Sequence, residues 1–148
     1  MEAHKDAINH LKNLFTDKSE NKFNILKLQN AIKDFKENYG KGMFSIELFR
    51  NDNGSIITGY NTNQFASHIY TDIYKNINKS IEELEEDSLL DYYIVDLNDN
   101  KAIIVGDIQS DEYNYISYGI LVSFDKIAFA MFFNLILPRF IKLIKKSL

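Results

Sequence analysis

Over residues 3–15, Ala7, Ile8, Leu11, Leu14 and Phe15 recur at helical spacing, which predicts a short amphipathic helix. After the polar stretch TDKSEN (16–21), the period resumes over 22–38. Ile25, Leu28, Ile32 and Phe35 share one stripe, and Gly40 closes this second helix. The period then changes to two. MFSIELFR (43–50) places Phe44, Ile46 and Leu48 on one face, residues 51–54 supply a turn whose Asn-Gly pair tolerates positive φ, and SIITGY returns as the second strand of a hairpin. From about 63 to 84 the helical period comes back, with Asn61 or Thr62 as cap. Phe65, Ile69, Ile73, Ile77, Ile81 and Leu84 form its stripe, and Ala66, Tyr70 and Tyr74 widen it to roughly half the circumference, where one sheet face needs only about 100°. A generous core and a second packing partner, such as another copy of the protein, account for this width equally well.

EELEED (82–87) ends the long helix and reads as a solvated charge run. DYYIVDL (91–97), a turn at 98–100, KAIIVGDI (101–108) and YISYGILVSF (115–124) then predict three strands before a final helix. The order α-α-β-β-α-β-β-β-α predicts an α+β domain with a single five-stranded antiparallel sheet flanked by helices. That domain spans 22–148, and residues 1–21 form a helical extension and linker.

The final helix contains FAMFFNLILPRF (129–140), whose uncharged run, 127–137, is too short to span a membrane at about 20 residues per crossing. Its apolar residues cover every side, so burial on more than one side is expected. The stripe around Leu11 and Phe15 is available to cover its outer side. Asp125 is placed to cap the helix, and Pro138, which cannot donate to the Asn134 carbonyl, predicts a kink or break. Arg139, Lys142, Lys145 and Lys146 gather where the helix dipole favours cations. A solvated helix end accounts for them, although RFIKLIKK also has the composition of a membrane-surface segment.

Charge is unevenly placed along the 148 residues. Residues 1–41 carry a net +2, residues 42–125 a net -11 and residues 126–148 a net +5. The acidic middle and the presence of only two arginines argue against a nucleic-acid partner. Cysteine is absent, which removes disulfides and thiolate metal sites. The start lacks the apolar run of a secretory signal, and a cytoplasmic protein is expected.

No chemistry stands out. His4, His10 and His68 are not paired at helical spacing, the Gly40-Lys41-Gly42 stretch lacks the context of a phosphate loop, and Ser67-His68 is not surrounded by a nucleophile elbow. Carboxylates abound without any pair being singled out. An enzyme is therefore not expected, and neither catalytic, metal nor cofactor residues are nominated.

The order helix, hairpin, helix, three strands, helix resembles the roadblock, or dynein-light-chain-like, family, which is longin-related. FSIELFRNDNGSIITGY is similar to its first hairpin, YYIVDLNDNKAIIVGDI with YISYGILVSF to its meander, and the segment from Asp125 through LILPRF to its closing helix. The likeness covers about 22–146. The long helix is richer in Asn, Tyr and Lys than is usual in bacterial members, and the helix at 3–15 is an addition. The resemblance implies a non-enzymatic module that forms homodimers, or heterodimers with another roadblock-like chain, through the central helices and the first meander strand. It also implies a scaffold or regulator of a small Ras-like GTPase, for instance in polarity or motility. Carried over by position, Tyr70, Ile73, Tyr74, Ile77, Tyr92, Ile94 and Asp96 would be dimer contacts, and Gln64, Ser67, Thr71 and Lys75 would face a partner. The alternative is a sensor module of the PAS or profilin-like class, whose eleven Phe and nine Tyr would line a small-molecule pocket.

Overall fold

The side chain of Asn24 accepts a hydrogen bond from the Lys27 amide at 3.1 Å, so an orphan donor of the first turn is satisfied where the helix starts. The computed structural model describes residues 24–148 apart from Glu86 and Asp111. The expected helix at 3–15 and the boundary at 21/22 lie outside the described residues. Helix α1 runs Ile25–Tyr39 and buries Leu28, Ala31, Ile32 and Phe35, whereas Ile25 stays exposed. A 3-10 turn, Gly40–Gly42, leads into strand β1, Met43–Arg50.

The first hairpin closes as the turn residues require. Gly54 holds φ at 76°, its amide donates to the Arg50 carbonyl, and the Arg50 amide donates to Ser55. Strand β2 covers Ile56–Tyr60. Helix α2, Gln64–Glu83, is capped by Asn63, whose side chain accepts from the Phe65 amide at 2.9 Å. Asn61, one of the two expected caps, does other work: it adopts a left-handed φ of 51° and donates to the Phe44 carbonyl. Strands β3 (Tyr92–Leu97), β4 (Lys101–Asp107) and β5 (Ile116–Ser123) follow. All pairings are antiparallel in the order β2-β1-β5-β4-β3, so the central β1–β5 pair, with Ile46 opposite Ile120, joins the hairpin to the meander. This is the α+β, five-stranded sheet expected from the element order.

The sheet is the middle of three layers. On one face, Ile46, Leu48, Ile104, Ile120 and Val122 meet α1 and the closing helical run in the main core. On the other, Phe49, Tyr93 and Val105 meet α2.

The closing run consists of α3 (Phe129–Met131), a π-helical stretch (Phe132–Ile136) and α4 (Leu137–Ser147). Two expectations change here. Asp125 does not cap the run; it accepts a hydrogen bond from Asn100 at 2.9 Å, and Ala128 stands at the cap position without a side-chain bond. The disturbance expected near Pro138 takes the form of a π-helical stretch, and the helix continues past it. The Leu137 amide reaches back five residues to the Phe132 carbonyl, and Pro138 falls in the first turn of α4, where a missing N–H is tolerated. Among the described residues burial is also one-sided: Phe132, Ile136, Leu137, Phe140 and Ile144 face inward, while Phe129 and Met131 remain exposed. No helix among the described residues is long and apolar enough to cross a membrane.

Candidate interaction surface

Helix α2 meets the sheet through a different side from its strongest apolar stripe. Ser67 and Thr71 are 0% and 3% exposed, and each hydroxyl is satisfied within the helix, by the carbonyls of Gln64 at 3.1 Å and Ser67 at 2.9 Å. With small, internally bonded side chains at i and i+4, the helix lies close against the strands. Gly119 provides the matching space in β5, where a Cβ would stand 2.8 Å from the Tyr70 ring. Ser67 and Thr71 therefore cannot present a partner face as expected. Gln64 and Lys75 are exposed, and Lys75 donates to the Asp52 carbonyl at 3.1 Å across to the hairpin turn.

Tyr70 and Tyr74, the expected dimer contacts, are half-buried and serve the fold of their own chain. Tyr70 packs on Phe49 with ring centroids 6.1 Å apart, and its carbonyl accepts from the Tyr93 hydroxyl at 2.9 Å. Burial, helped by the charge of Glu47, pushes the Tyr70 phenol up to about 12. Tyr74 donates to Asp107, which also accepts from Ser117 Oγ at 2.6 Å and from Asn51 at 3.3 Å. Desolvation and this carboxylate raise the Tyr74 pKa, so the hydroxyl stays protonated as a donor. The network pins the middle of α2 to the ends of β4 and β5.

What remains outward is apolar. Phe65 is 70% exposed and Ile69 56%, and Ile73 and Ile77 continue the same side half-exposed. On the α2 face of the sheet, Val95 and Ile103 are half-exposed and, like Ile73 and Ile77, pack at the margin of the Phe49, Tyr93 and Val105 cluster, and Leu97 is exposed. Strand β3 is an edge, paired on one side with β4. Its other face carries Tyr92, Ile94 and Asp96, all exposed, with Tyr92 stacked on Phe133 at 5.6 Å. Among the described residues, helix and edge strand thus leave open a strand edge without a second strand partner and an exposed apolar side, the properties that make a strand edge adhesive. Phe65, Ile69 and Leu97 are members of this surface that the sequence did not single out, because a periodic stripe carries no mark of which of its sides meets the sheet.

Beneath the start of α2 lies Glu47, a carboxyl on the helix-facing side of β1. One oxygen accepts from the Asn63 amide at 2.6 Å, and the other is buried without a hydrogen-bond partner among the described residues. Desolvation raises its pKa above the ordinary 4.5, and the amide bond opposes the rise without cancelling it. Between β3 and the closing run there is an open cleft of about 400 Å³, lined by Tyr92, Tyr118, Phe133 and Leu137 and by charges of both signs, Asp91 and Asp107 with Lys142 and Lys145. No group of three or more His, Asp or Glu side chains among the described residues is arranged to hold a metal.

No protein-family model matches this sequence, and no curated protein matches it. Solved structures do. A Roadblock/LC7 domain from Streptomyces avermitilis superposes with a TM-score of 0.64 at 11% identity, over 80% of this chain and 94% of that one. MglB from Myxococcus xanthus superposes with a TM-score of 0.67 at 6% identity, over 84% of this chain and 90% of that one. Identities this low speak for the fold alone, and the fold is the one that the element order suggested. By the path of its backbone, this chain has a roadblock-like fold.

Proposed function

We propose that this chain is a non-enzymatic dimeric module that scaffolds or regulates a small Ras-like GTPase. The observation that carries the dimeric half is the pairing of an exposed apolar helix side, at Phe65 and Ile69, with a β3 edge that no second strand covers among the described residues. A second copy related by a two-fold axis would pair β3 with β3 and set the two α2 helices side by side, closing an edge and covering the apolar stripe at once. A different roadblock-like chain could take the same place. The GTPase half rests on the roadblock-like fold, since many modules of this kind bind such GTPases. In that arrangement nucleotide hydrolysis stays within the GTPase and this chain supplies a surface. Gln64 and Lys75, exposed at the start and middle of α2, are the remaining positions of the expected partner face.

The test is retention of a GTPase from native extract by the tagged protein, with GDP and a slowly hydrolysed GTP analogue in parallel. A Ras-sized protein held in one nucleotide state supports the reading and gives its direction; a clean lane in both states removes the GTPase half. A second reading, a small-molecule sensor, draws on the cleft walled by Tyr92, Tyr118 and Phe133. A ligand carried by the purified protein through native mass spectrometry would favour it.

A further inference from the structure

The two basic stretches of the sequence are far apart in the chain and side by side in the fold. Helices α1 and α4 pack against each other, with Phe35 and Phe140 in ring contact at 5.2 Å. At one end Lys27 donates to the Lys146 carbonyl at 3.4 Å; at the other Arg139 donates to the Tyr39 hydroxyl at 2.8 Å. Residues 24–41 and 126–148, which make up this layer, hold nine bases against two acids, whereas residues 42–125 hold four bases against fifteen acids. The net charge of -4 therefore conceals a molecule with one cationic face.

The cations of that face are available. Lys27, Lys33, Lys41, Lys126, Arg139, Lys142, Lys145 and Lys146 are exposed, and the one ion pair among the described residues, Arg50–Asp52, lies on the hairpin. Apolar groups are interspersed with them. Arg139, Lys142 and Lys146 stand three and four residues apart within α4, which puts them on one side of that helix. Met131 is more than half exposed, as are Phe129 at the start of the run and Ile25 and Leu26 beside Lys27.

We infer that this helical layer is a docking surface for an anionic lipid bilayer. Lysines placed around exposed Phe, Met, Leu and Ile side chains match a surface that is negative at the headgroups and apolar just beneath them. A nucleic acid offers the charge without the apolar layer, and the acidic remainder of the chain would repel a polyanion that extends past this face. The surface lies across the sheet from α2, so the inference is independent of the GTPase reading.

Co-sedimentation of the full 148-residue chain with vesicles tests it. Phosphatidylcholine vesicles containing about 30% phosphatidylserine should pellet the protein at about 0.1 M salt and release it at about 0.5 M, and pure phosphatidylcholine should not retain it. Replacing Lys142→Glu with Lys145→Glu should weaken binding by more than about tenfold, whereas the charge-matched pair Lys75→Glu with Lys79→Glu on α2 should change it by less than about twofold. All four positions are exposed, and unchanged circular dichroism confirms that each pair folds. A Lys142→Gln with Lys145→Gln pair should act in the same direction without introducing repulsion. No retention on the anionic vesicles, equal retention on both lipids, or equal losses for the two Glu pairs would each overturn the inference. So would tight binding to duplex DNA without binding to vesicles.

Discussion

Glu47 shows how one side chain can set a condition on stability. It is buried at the mouth of α2, with one oxygen bonded to the Asn63 amide and the other without a partner among the described residues. Because burial raises its pKa in the folded chain, the native state binds a proton more readily than the unfolded chain between the ordinary value of 4.5 and the raised one. In that window stability falls as pH rises: the contribution is complete below 4.5 and is lost as pH passes through the folded-state value. Urea unfolding of wild type and Glu47→Gln across pH 4 to 8 should show wild type losing stability relative to the variant as pH rises, with the difference levelling off once the carboxyl is ionised in both states. Parallel curves would mean that Glu47 does not titrate differently on folding.

Capping is decided at the scale of the element, and here the sequence was misleading in an instructive way. Asn61, Thr62 and Asp125 were all credible caps by residue type, but a cap works only if the next residues turn into the helix while its own backbone stays extended. Asn63, with φ -130° and ψ 114°, meets that requirement. Asp125 lies four residues ahead of the first residue of the closing run and ties the β3–β4 turn instead, through Asn100. Asn63→Ala should therefore cost about 1 kcal/mol in denaturant unfolding, and Asp125→Ala less than about 0.5 kcal/mol. The reverse ranking would contradict the assignment. Pro138 is the companion case: it announced a disturbance of the hydrogen-bond ladder, and the fold absorbed it by a π-helical turn because Phe132, Ile136, Phe140 and Ile144 all have to reach the same core.

At the scale of the whole molecule, the two sides of α2 part ways. Ser67, Tyr70, Thr71 and Tyr74 turn inward and hold the chain together, whereas Phe65 and Ile69 are exposed in the single chain, where the proposed second copy would sit. A charge at Tyr74 would add a carboxylate beside Asp107 and unsettle the monomer, so it makes a poor probe of association. Ile69→Glu is the better one, since the residue is exposed in the single chain. It should leave the melting temperature of the dilute protein nearly unchanged while shifting the dimer toward monomer by at least about tenfold in dissociation constant, read by light scattering across a concentration series. A variant that dimerises as wild type does would locate the interface elsewhere.

The sequence by itself determined the order of elements over the described residues, the hairpin turn at Gly54 and the α+β class, because each depends on local period and on backbone freedom at one or two residues. It also carried the two basic stretches and the over-wide helix in plain view. Tertiary structure alone decided what those features meant. Whether Phe65 or Tyr70 meets the sheet depends on the room that Gly119 leaves in a strand some fifty residues away. The cationic face exists only because α1 and α4, separated by the whole sheet in sequence, share one layer. Periodicity records how many sides of an element are apolar; long-range packing determines which of those sides the chain keeps for itself.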